Sequence, residues 1–319
     1  MNVLVIGGSG FIGARLIECL LKAKHEVRIF DKNPSTSFNE LVTIGDVRAV
    51  DALNRALNGI DVVYNLAAEH RDDVWPISLY YDVNVQGAKN IVEAAVANHV
   101  KKIVFTSTVA VYGLNKPDPD EDSPTEPFND YGKSKLQAEG VFNRWATGGA
   151  DRTLVVVRPV VIFGEGNQGN VYNLINQIAR RKFIMIGDGA NRKSMGYVGN
   201  IANFLVQTMR FGPGRHIFNY ADKPDMTVKE LVDHVRSEVH ITKPFLRIPY
   251  SLGLMGGYVF DVLASLSRKS FPISSIRIKK FCANTTVSTR ALESIGFTPA
   301  VSLKEGLSRM IKNKYNFES

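Results

Sequence analysis

The chain has 319 residues, 45% of them hydrophobic and 22% charged, with 26 Gly and 13 Pro. That composition excludes collagen-like, low-complexity and disordered chains, and the length allows two domains or one large one. The formal net charge is +8, and the whole excess is C-terminal: residues 241–319 hold 12 Lys/Arg against 4 Asp/Glu, and the rest of the chain balances.

A basic excess attracts anionic lipid or a phosphorylated substrate, unless it is solvated surface charge only. Aromatic residues are not interleaved with the cations and no nucleic-acid motif occurs, so no nucleic acid is expected as a partner. Cys19 and Cys282, 263 positions apart, are too few for a disulfide framework or a thiolate site, and no metal centre is expected. A strand pattern begins at Asn2 and a glycine loop at Gly7, which leaves no room for a signal peptide. The expectation is a chain that starts at Met1 in a reducing, cytoplasmic compartment.

Residues 1–160 alternate short apolar runs with longer helical patterns, as a parallel sheet with crossover helices does. The first run, Asn2 to Ile6, leads into Gly7-Gly8-Ser9-Gly10-Phe11-Ile12-Gly13, and a helical pattern continues from Ile12 to Lys22. Gly7, Gly10 and Gly13 permit a tight turn, close approach of the backbone to a pyrophosphate, and close packing of helix on strand. The helix N-terminus then offers N–H groups and a positive dipole end to the phosphates. The next run, Glu26 to Phe30, ends at Asp31, 18 residues beyond Gly13, where a carboxylate would hold an adenosine ribose. Such a carboxylate repels a 2′-phosphate, so the pattern predicts NAD rather than NADP. Asp46 and Val47 follow another short apolar stretch and could hold the adenine, or form an ordinary turn.

Runs at Val62 to Leu66, Lys102 to Thr106 and Leu154 to Val157 alternate with helical patterns at Ala49 to Leu57, Tyr80 to Asn98 and Tyr131 to Trp145. The predicted fold is α/β, a Rossmann-type doubly wound parallel sheet. Thr106-Ser107-Thr108 sets three hydroxyls at the carboxyl end of a strand, on the cofactor side of such a sheet. Tyr131 and Lys135 lie four apart on one helix face. A cation about 4 Å from a phenol contributes on the order of 4 kcal/mol at an effective dielectric of 20, roughly three pKa units. That would turn a tyrosine into a usable acid or base.

After Pro159 the alternation loosens. A helix with Thr227 as N-cap and Glu230 three residues on is expected up to Val239. The predicted division is an NAD-binding domain at 1–160, with later segments interleaved, and a mainly substrate-binding α/β lobe at 161–319. Ser251 to Leu266 is apolar but, at 16 residues with Asp261 inside, too short to span a bilayer. With the cations that follow it, including Arg268, Lys269, Arg277, Lys279 and Lys280, residues 250–280 could lie on an anionic membrane surface. The alternative is that this helix fills the small lobe's core.

Gly7, Gly10, Gly13, Asn84 in Asn84-Val85-Gln86-Gly87, the stretch from Thr106 to Gly113, Tyr131 with Lys135, and Arg158-Pro159 together resemble the extended short-chain dehydrogenase/reductase family, in its NAD-dependent epimerase/dehydratase branch. The resemblance runs on through Thr227 to Leu231 and the closing Gly296-Phe297-Thr298-Pro299, so it covers almost the whole chain. It implies NAD as cofactor, Thr108 as the catalytic hydroxyl, Tyr131 as acid/base, and Lys135 as the residue that binds the nicotinamide ribose and lowers the tyrosine pKa. Phe11, Ile12, Leu66, Ala67, Ala68, Asn84 and Pro159 would line the cofactor cleft.

A sugar dehydratase of this kind needs an acidic pair after the catalytic threonine, where this chain has Val109 and Ala110. Hydride chemistry at one carbon remains, as in a 4-epimerase or a 4-ketosugar reductase; a third reading is a non-catalytic binding protein, which need not keep Thr108, Tyr131 and Lys135 together. Several loops resemble the bacterial 4-epimerases that interconvert N-acetylglucosamine and N-acetylgalactosamine on undecaprenyl diphosphate for O-antigen assembly, and enzymes acting on the UDP-linked sugar carry similar motifs. The resemblance implies Thr108, Asn170, His70, Arg71 and Lys193 as substrate contacts, a lipid-linked or nucleotide-linked N-acetylhexosamine as substrate, work at the inner face of the cytoplasmic membrane, and a homodimer.

Overall fold

The computed structural model describes residues 1–71, 74–114, 116–267 and 274–315. Their contacts divide the chain into two compact units: one made of Met1–Ile162, Gly196–Ala221 and Val287–Val301, the other of the described parts of Phe163–Met195, Asp222–Thr286 and Ser302–Ser319.

The first unit is built on a parallel sheet. Its strands in chain order are β1 (Asn2–Ile6), β2 (Glu26–Asp31), β3 (Val42–Ile44), β4 (Val62–Asn65), β5 (Lys102–Thr106) and β6 (Thr153–Pro159). After β7 (Val161–Phe163), β8 (Met185–Ile186) and β9 (Arg192–Tyr197), the chain adds β10 (Gly214–Tyr220) to the same sheet. The spatial order is β10-β6-β5-β4-β1-β2-β3, every neighbouring pair parallel. Strands covered on both faces need apolar residues at every position, which is why β1 and β4 read as continuous runs. Strand order reverses on either side of β1, and a ligand crevice opens at such a switch point, outside the carboxyl ends of β1 and β4.

Helices cover both faces: α1 (Phe11–Lys22), α2 (Val50–Ala56), α3 (Ser78–Tyr81), α4 (Gly87–Ala97), α5 (Asp130–Thr147), then α6 (Asn170–Ala179) in the second unit, and α7 (Val198–Gln207) back in the first. Side chains alternate across β1. Val3 and Val5 pack with Leu16, Ile17, Ile201 and Phe204 on the α1 and α7 side. Leu4 and Ile6 pack with Leu53, Ile91, Phe105 and Phe142 on the α2, α4 and α5 side.

The helix expected from Tyr80 to Asn98 is interrupted: Asp82–Gln86 forms a π turn between α3 and α4. Asn84 lies inside it, and its amide bonds two other segments, which ties the widened turn in place.

In the second unit, β11 (Asp222–Thr227) runs antiparallel to β9, and β12 (Arg247–Ile248) parallel to β8. α8 (Val228–Glu238) starts at the expected capping box: Thr227 Oγ1 accepts from Glu230 N at 3.0 Å, and the Glu230 carboxylate accepts from Thr227 N at 2.7 Å. The remaining helices are α9 (Tyr250–Ser267), α10 (Ser275–Cys282), α11 (Arg290–Ser294), which belongs to the first unit, and α12 (Leu303–Tyr315). At Gly257 the backbones of α9 and α10 meet so closely that a Cβ would stand 2.9 Å from Ser275 Cα.

Candidate active site

The glycine turn joins β1 to α1. Gly7 adopts φ +80°, and a Cβ there would fall 2.6 Å from Ala67 N; one on Gly13 would fall 2.6 Å from Gly8 O. Both positions therefore exclude any side chain. Gly10 is the N-cap of α1, and no side chain caps the helix, so the N–H groups of its first turn, at Phe11, Ile12 and Gly13, are left for a phosphate. Asp31 ends β2 beside this turn: Oδ2 accepts from Ser9 N at 3.0 Å and Oδ1 from Asn33 N at 2.9 Å. Two bonds leave about half of a carboxylate's acceptor sites open to ribose hydroxyls. Leu66, Ala67 and Ala68 continue from β4 and are half-buried, with Ala67 N bonded to Asn65 Oδ1 at 3.2 Å. These groups fit a dinucleotide: a bare helix N-terminus, a turn closed to side chains, and a carboxylate at the next strand end.

The two residues expected at the adenine, Asp46 and Val47, also make bonds within the protein. The Asp46 carboxylate takes the Arg48 backbone N–H and a two-pronged guanidinium bond at 3.0 and 2.7 Å, and these bonds hold it below its ordinary pKa. Val47 is buried, and its carbonyl accepts from Asn90 Nδ2 at 3.0 Å. Asn84 grips the backbone of Glu69 at both ends, accepting from its N–H at 2.9 Å and donating to its carbonyl at 3.0 Å. It also donates to Ser134 Oγ at 2.9 Å, so it braces the loop after β4 against α5.

The chemical centre forms where α5 crosses the carboxyl end of β5. Asn129 caps α5 by accepting from Gly132 N at 2.9 Å, which starts the helix one residue before Tyr131. Thr108 Oγ1 accepts from Ala110 N at 3.2 Å, capping a short 3₁₀ turn over Val109–Tyr112. Burial pushes the Tyr131 hydroxyl up to about 12, against the lowering effect of its hydrogen bond to Thr108. Lys135 is 1% exposed. Burial pulls its ammonium down to about 7, opposed by the negative charge of Glu139. Burial disfavours the charged form of both groups, so in the protein alone the phenol lies above its ordinary value and not below it, as the four-residue spacing led one to expect.

A polar network that the sequence reading passed over lies behind the centre. Ser107 Oγ donates to Glu139 Oε1 at 2.5 Å, and Arg158 binds both Glu139 oxygens, Nε to Oε1 at 3.0 Å and Nη2 to Oε2 at 2.7 Å. Arg158 Nη1 donates to Tyr112 Oη at 2.8 Å, and Tyr112 to Asn219 Oδ1 at 2.7 Å. Pro159 follows Arg158 at the end of β6. The signal for Glu139 was present in the sequence, as the third member of a four-residue repeat after Tyr131 and Lys135.

The proposed substrate residues are placed differently. His70 and Arg71 are exposed on the loop after Ala68, with Arg71 Nε on Glu69 Oε1 at 3.1 Å. Asp72 and Asp73 of the same loop lie outside the described residues. Trp75, a few residues on, is 85% exposed. In the second unit, Asn170 is exposed at the first position of α6. Lys193 is bonded to the protein's own backbone. Its ammonium donates to the carbonyls of Lys280 at 2.8 Å and Ala283 at 2.7 Å, closing the C-terminal end of α10, and burial pulls its pKa down to about 8.

This fold, with its glycine turn and strand-end carboxylate, is that of a nicotinamide-dinucleotide enzyme. The chain belongs to the NAD dependent epimerase/dehydratase family, which it matches over residues 3–221. It is 49% identical over 316 residues to the N-acetyl-alpha-D-glucosaminyl-diphospho-ditrans,octacis-undecaprenol 4-epimerase of Escherichia coli O157:H7, covering 98% of this chain and 95% of that protein. Its fold is similar to that of MoeE5 in complex with UDP-glucose and NAD, with a TM-score of 0.79, 24% identity and 99% of each chain covered. It is likewise similar to the UDP-glucose 4-epimerase of Thermus thermophilus in complex with NAD, with a TM-score of 0.77, 22% identity and 98% of each chain covered.

Proposed function

We propose that the protein is an NAD-dependent 4-epimerase that interconverts N-acetylglucosamine and N-acetylgalactosamine carried on undecaprenyl diphosphate. The observation that carries this reading is the 49% identity, over nearly the whole chain, to the Escherichia coli O157:H7 4-epimerase of that lipid-linked sugar. The first unit would hold NAD and the second would supply substrate contacts. Bound NAD supplies the acceptor and donor of the C4 hydride, and a positive ring charge.

The chain's own residues handle the proton. Tyr131 takes it from the C4 hydroxyl as the ketone forms and returns it when the hydride is given back to the other face of the turned sugar. Thr108 holds the phenol oxygen by the hydrogen bond that already lowers its pKa. Lys135, when protonated, favours the phenolate, an effect worth roughly three pKa units for a cation about 4 Å from a phenol. From about 12 this leaves the phenol above neutrality, so the lysine acts with the coenzyme's charge rather than alone.

The same reading places the enzyme at a bilayer surface. Leu252, Met255, Val259 and Val262 of α9 recur at helical spacing and are 53–60% exposed. They form an outward apolar stripe, while Gly253 and Gly257 face Ile186 and Ser275. On α10, Lys279 stands 5.3 Å from the Tyr258 ring centroid, close to this stripe. An apolar stripe with a cation beside it matches anionic headgroups. Arg268 and Lys269 lie outside the described residues, and among the described residues no helix is long and apolar enough to cross a membrane.

The test offers purified protein N-acetylglucosamine on undecaprenyl diphosphate and on UDP, side by side, without added coenzyme. Epimerised sugar from the lipid-linked form is expected. Product from the UDP form alone overturns the carrier, and net consumption of added NADPH overturns epimerisation in favour of reduction.

A further inference from the structure

Resting on the reading of Tyr131, Lys135 and Thr108 as the reacting groups, we propose that Glu139 is a positioning residue, whose buried carboxylate fixes the helix carrying Tyr131 and Lys135 to the strand ends carrying Thr108 and Pro159 and serves as counter-charge to the Lys135 ammonium. Glu139 lies one helical turn after Lys135 and two after Tyr131, on the same face of α5. It is 4% exposed, and a buried carboxyl group needs hydrogen-bond partners, which here sit at two strand ends. Ser107, adjacent to Thr108, donates to it from the end of β5 at 2.5 Å; Arg158, adjacent to Pro159, grips both its oxygens from β6.

The grip is rigid beyond the pair. Arg158 is held by Tyr112 Oη at 2.8 Å and the Glu121 carbonyl at 3.3 Å, and Glu121 Oε1 accepts from Asn219 N at 2.6 Å. A two-pronged guanidinium–carboxylate bond fixes angle as well as distance. Among the described residues, the charged and titratable groups on the elements about Lys135 include Tyr131 and Glu139 on its own helix, Tyr80 of α3 at 6.5 Å from the Tyr131 ring, Arg158 on β6, and Tyr112 and Glu121 behind Arg158. The negative charge of Glu139 opposes the loss of the Lys135 proton. With Glu139 neutral, the unpaired Arg158 would act on the lysine in the same direction, toward deprotonation.

The experiment measures kcat and KM against pH for the NAD-loaded enzyme with the lipid-linked sugar. For Glu139→Gln, kcat is expected to fall at least tenfold with KM within about twofold, and the alkaline limb of the profile to move down by about one pH unit or more, as removal of a nearby opposite charge does. Glu139→Asp keeps the charge and is expected to return the limb to its wild-type position. Bound NAD per chain and the melting temperature are read on the same samples. An unmoved limb in a folded Glu139→Gln variant overturns the counter-charge role, and a kcat within twofold of wild type overturns the positioning role. If Glu139→Gln does not fold, Ser107→Ala keeps the ion pair and removes one strand-end anchor: a threefold or larger fall in kcat with the limb unmoved is expected, and unchanged kcat overturns the proposal. Tyr131→Phe in the same assay separates the two ideas. If it retains turnover, the underlying reading fails; if it is inactive while Glu139→Gln behaves as wild type, only this inference fails.

Discussion

The Lys135 ammonium stands 4.2 Å from the centroid of the Phe105 ring, with α5 laid across the end of β5. An aromatic face returns only part of what water gives a cation. The lysine is thus kept close to the pH at which it can lose its charge, at about 7.

Stability of the coenzyme-free protein should record this. Folding pulls the lysine down from its ordinary 10.5, so between about pH 7 and 10.5 the unfolded chain holds the extra proton. The resulting destabilisation is fully present below pH 7 and disappears as pH rises toward 10.5. Lys135→Met should therefore raise unfolding stability at pH 6 by on the order of 5 kcal/mol, with the gain shrinking as pH rises toward 10.5. Urea midpoints measured across this range check the slope.

Tyr131→Phe removes the proton carrier and leaves the ring packing near Tyr80, whose centroid is 6.5 Å away. Turnover should fall by about 10²- to 10⁴-fold, the usual span for a lost acid/base group, with NAD content unchanged. Single-turnover kinetics with the lipid-linked sugar provide the measurement.

Gly7→Ala should abolish coenzyme retention. Its Cβ would press to 2.6 Å on the backbone N of Ala67, in a residue already at φ +80°. Backbone cannot yield as the end of a flexible side chain can, so the turn must open. Absorbance of released nicotinamide and calorimetric titration with NAD check this, with a binding loss of at least a hundredfold expected.

Asn84→Ala strips partners from the Glu69 N–H, the Glu69 carbonyl and Ser134. Leaving buried polar groups unmatched costs about 1–3 kcal/mol. Thermal unfolding should show that loss, and hydrogen exchange should rise first at Glu69, because its amide loses the Asn84 oxygen.

Met255→Glu with Val259→Glu places two negative charges in the stripe on α9. Co-sedimentation with vesicles containing anionic lipid should be lost in the double variant and weakened by salt in the wild type. Activity on a short-chain, detergent-dispersed analogue should be retained, since the stripe carries no reacting group.

Features set by near neighbours were legible in the chain. The strand, glycine turn and helix from Asn2 to Lys22 follow one another directly, and Tyr131 with Lys135 needs only helical spacing. Features set by distant partners were not. The membership of β10 in the sheet depends on pairing with β6, some sixty residues earlier. The π turn at Asn84 depends on partners 15 and 50 residues away, and the role of Lys193 on carbonyls 87 and 90 residues on. Asp46 is a different case: its partner Arg48 is two residues away, and the pair could have been read as a self-contained turn.

The chain's two tryptophans sit at opposite extremes, Trp145 on the buried face of α5 at 3% exposure and Trp75 open to solvent at 85%. Their fluorescence should separate by wavelength, a blue-shifted emitter inside the fold and a red-shifted one a few residues from Arg71. Iodide should reach only the second. A wild-type sample therefore carries its own optical gauge of the loop after β4, and substrate or lipid that covers this loop would register as protection from the quencher, without any attached dye.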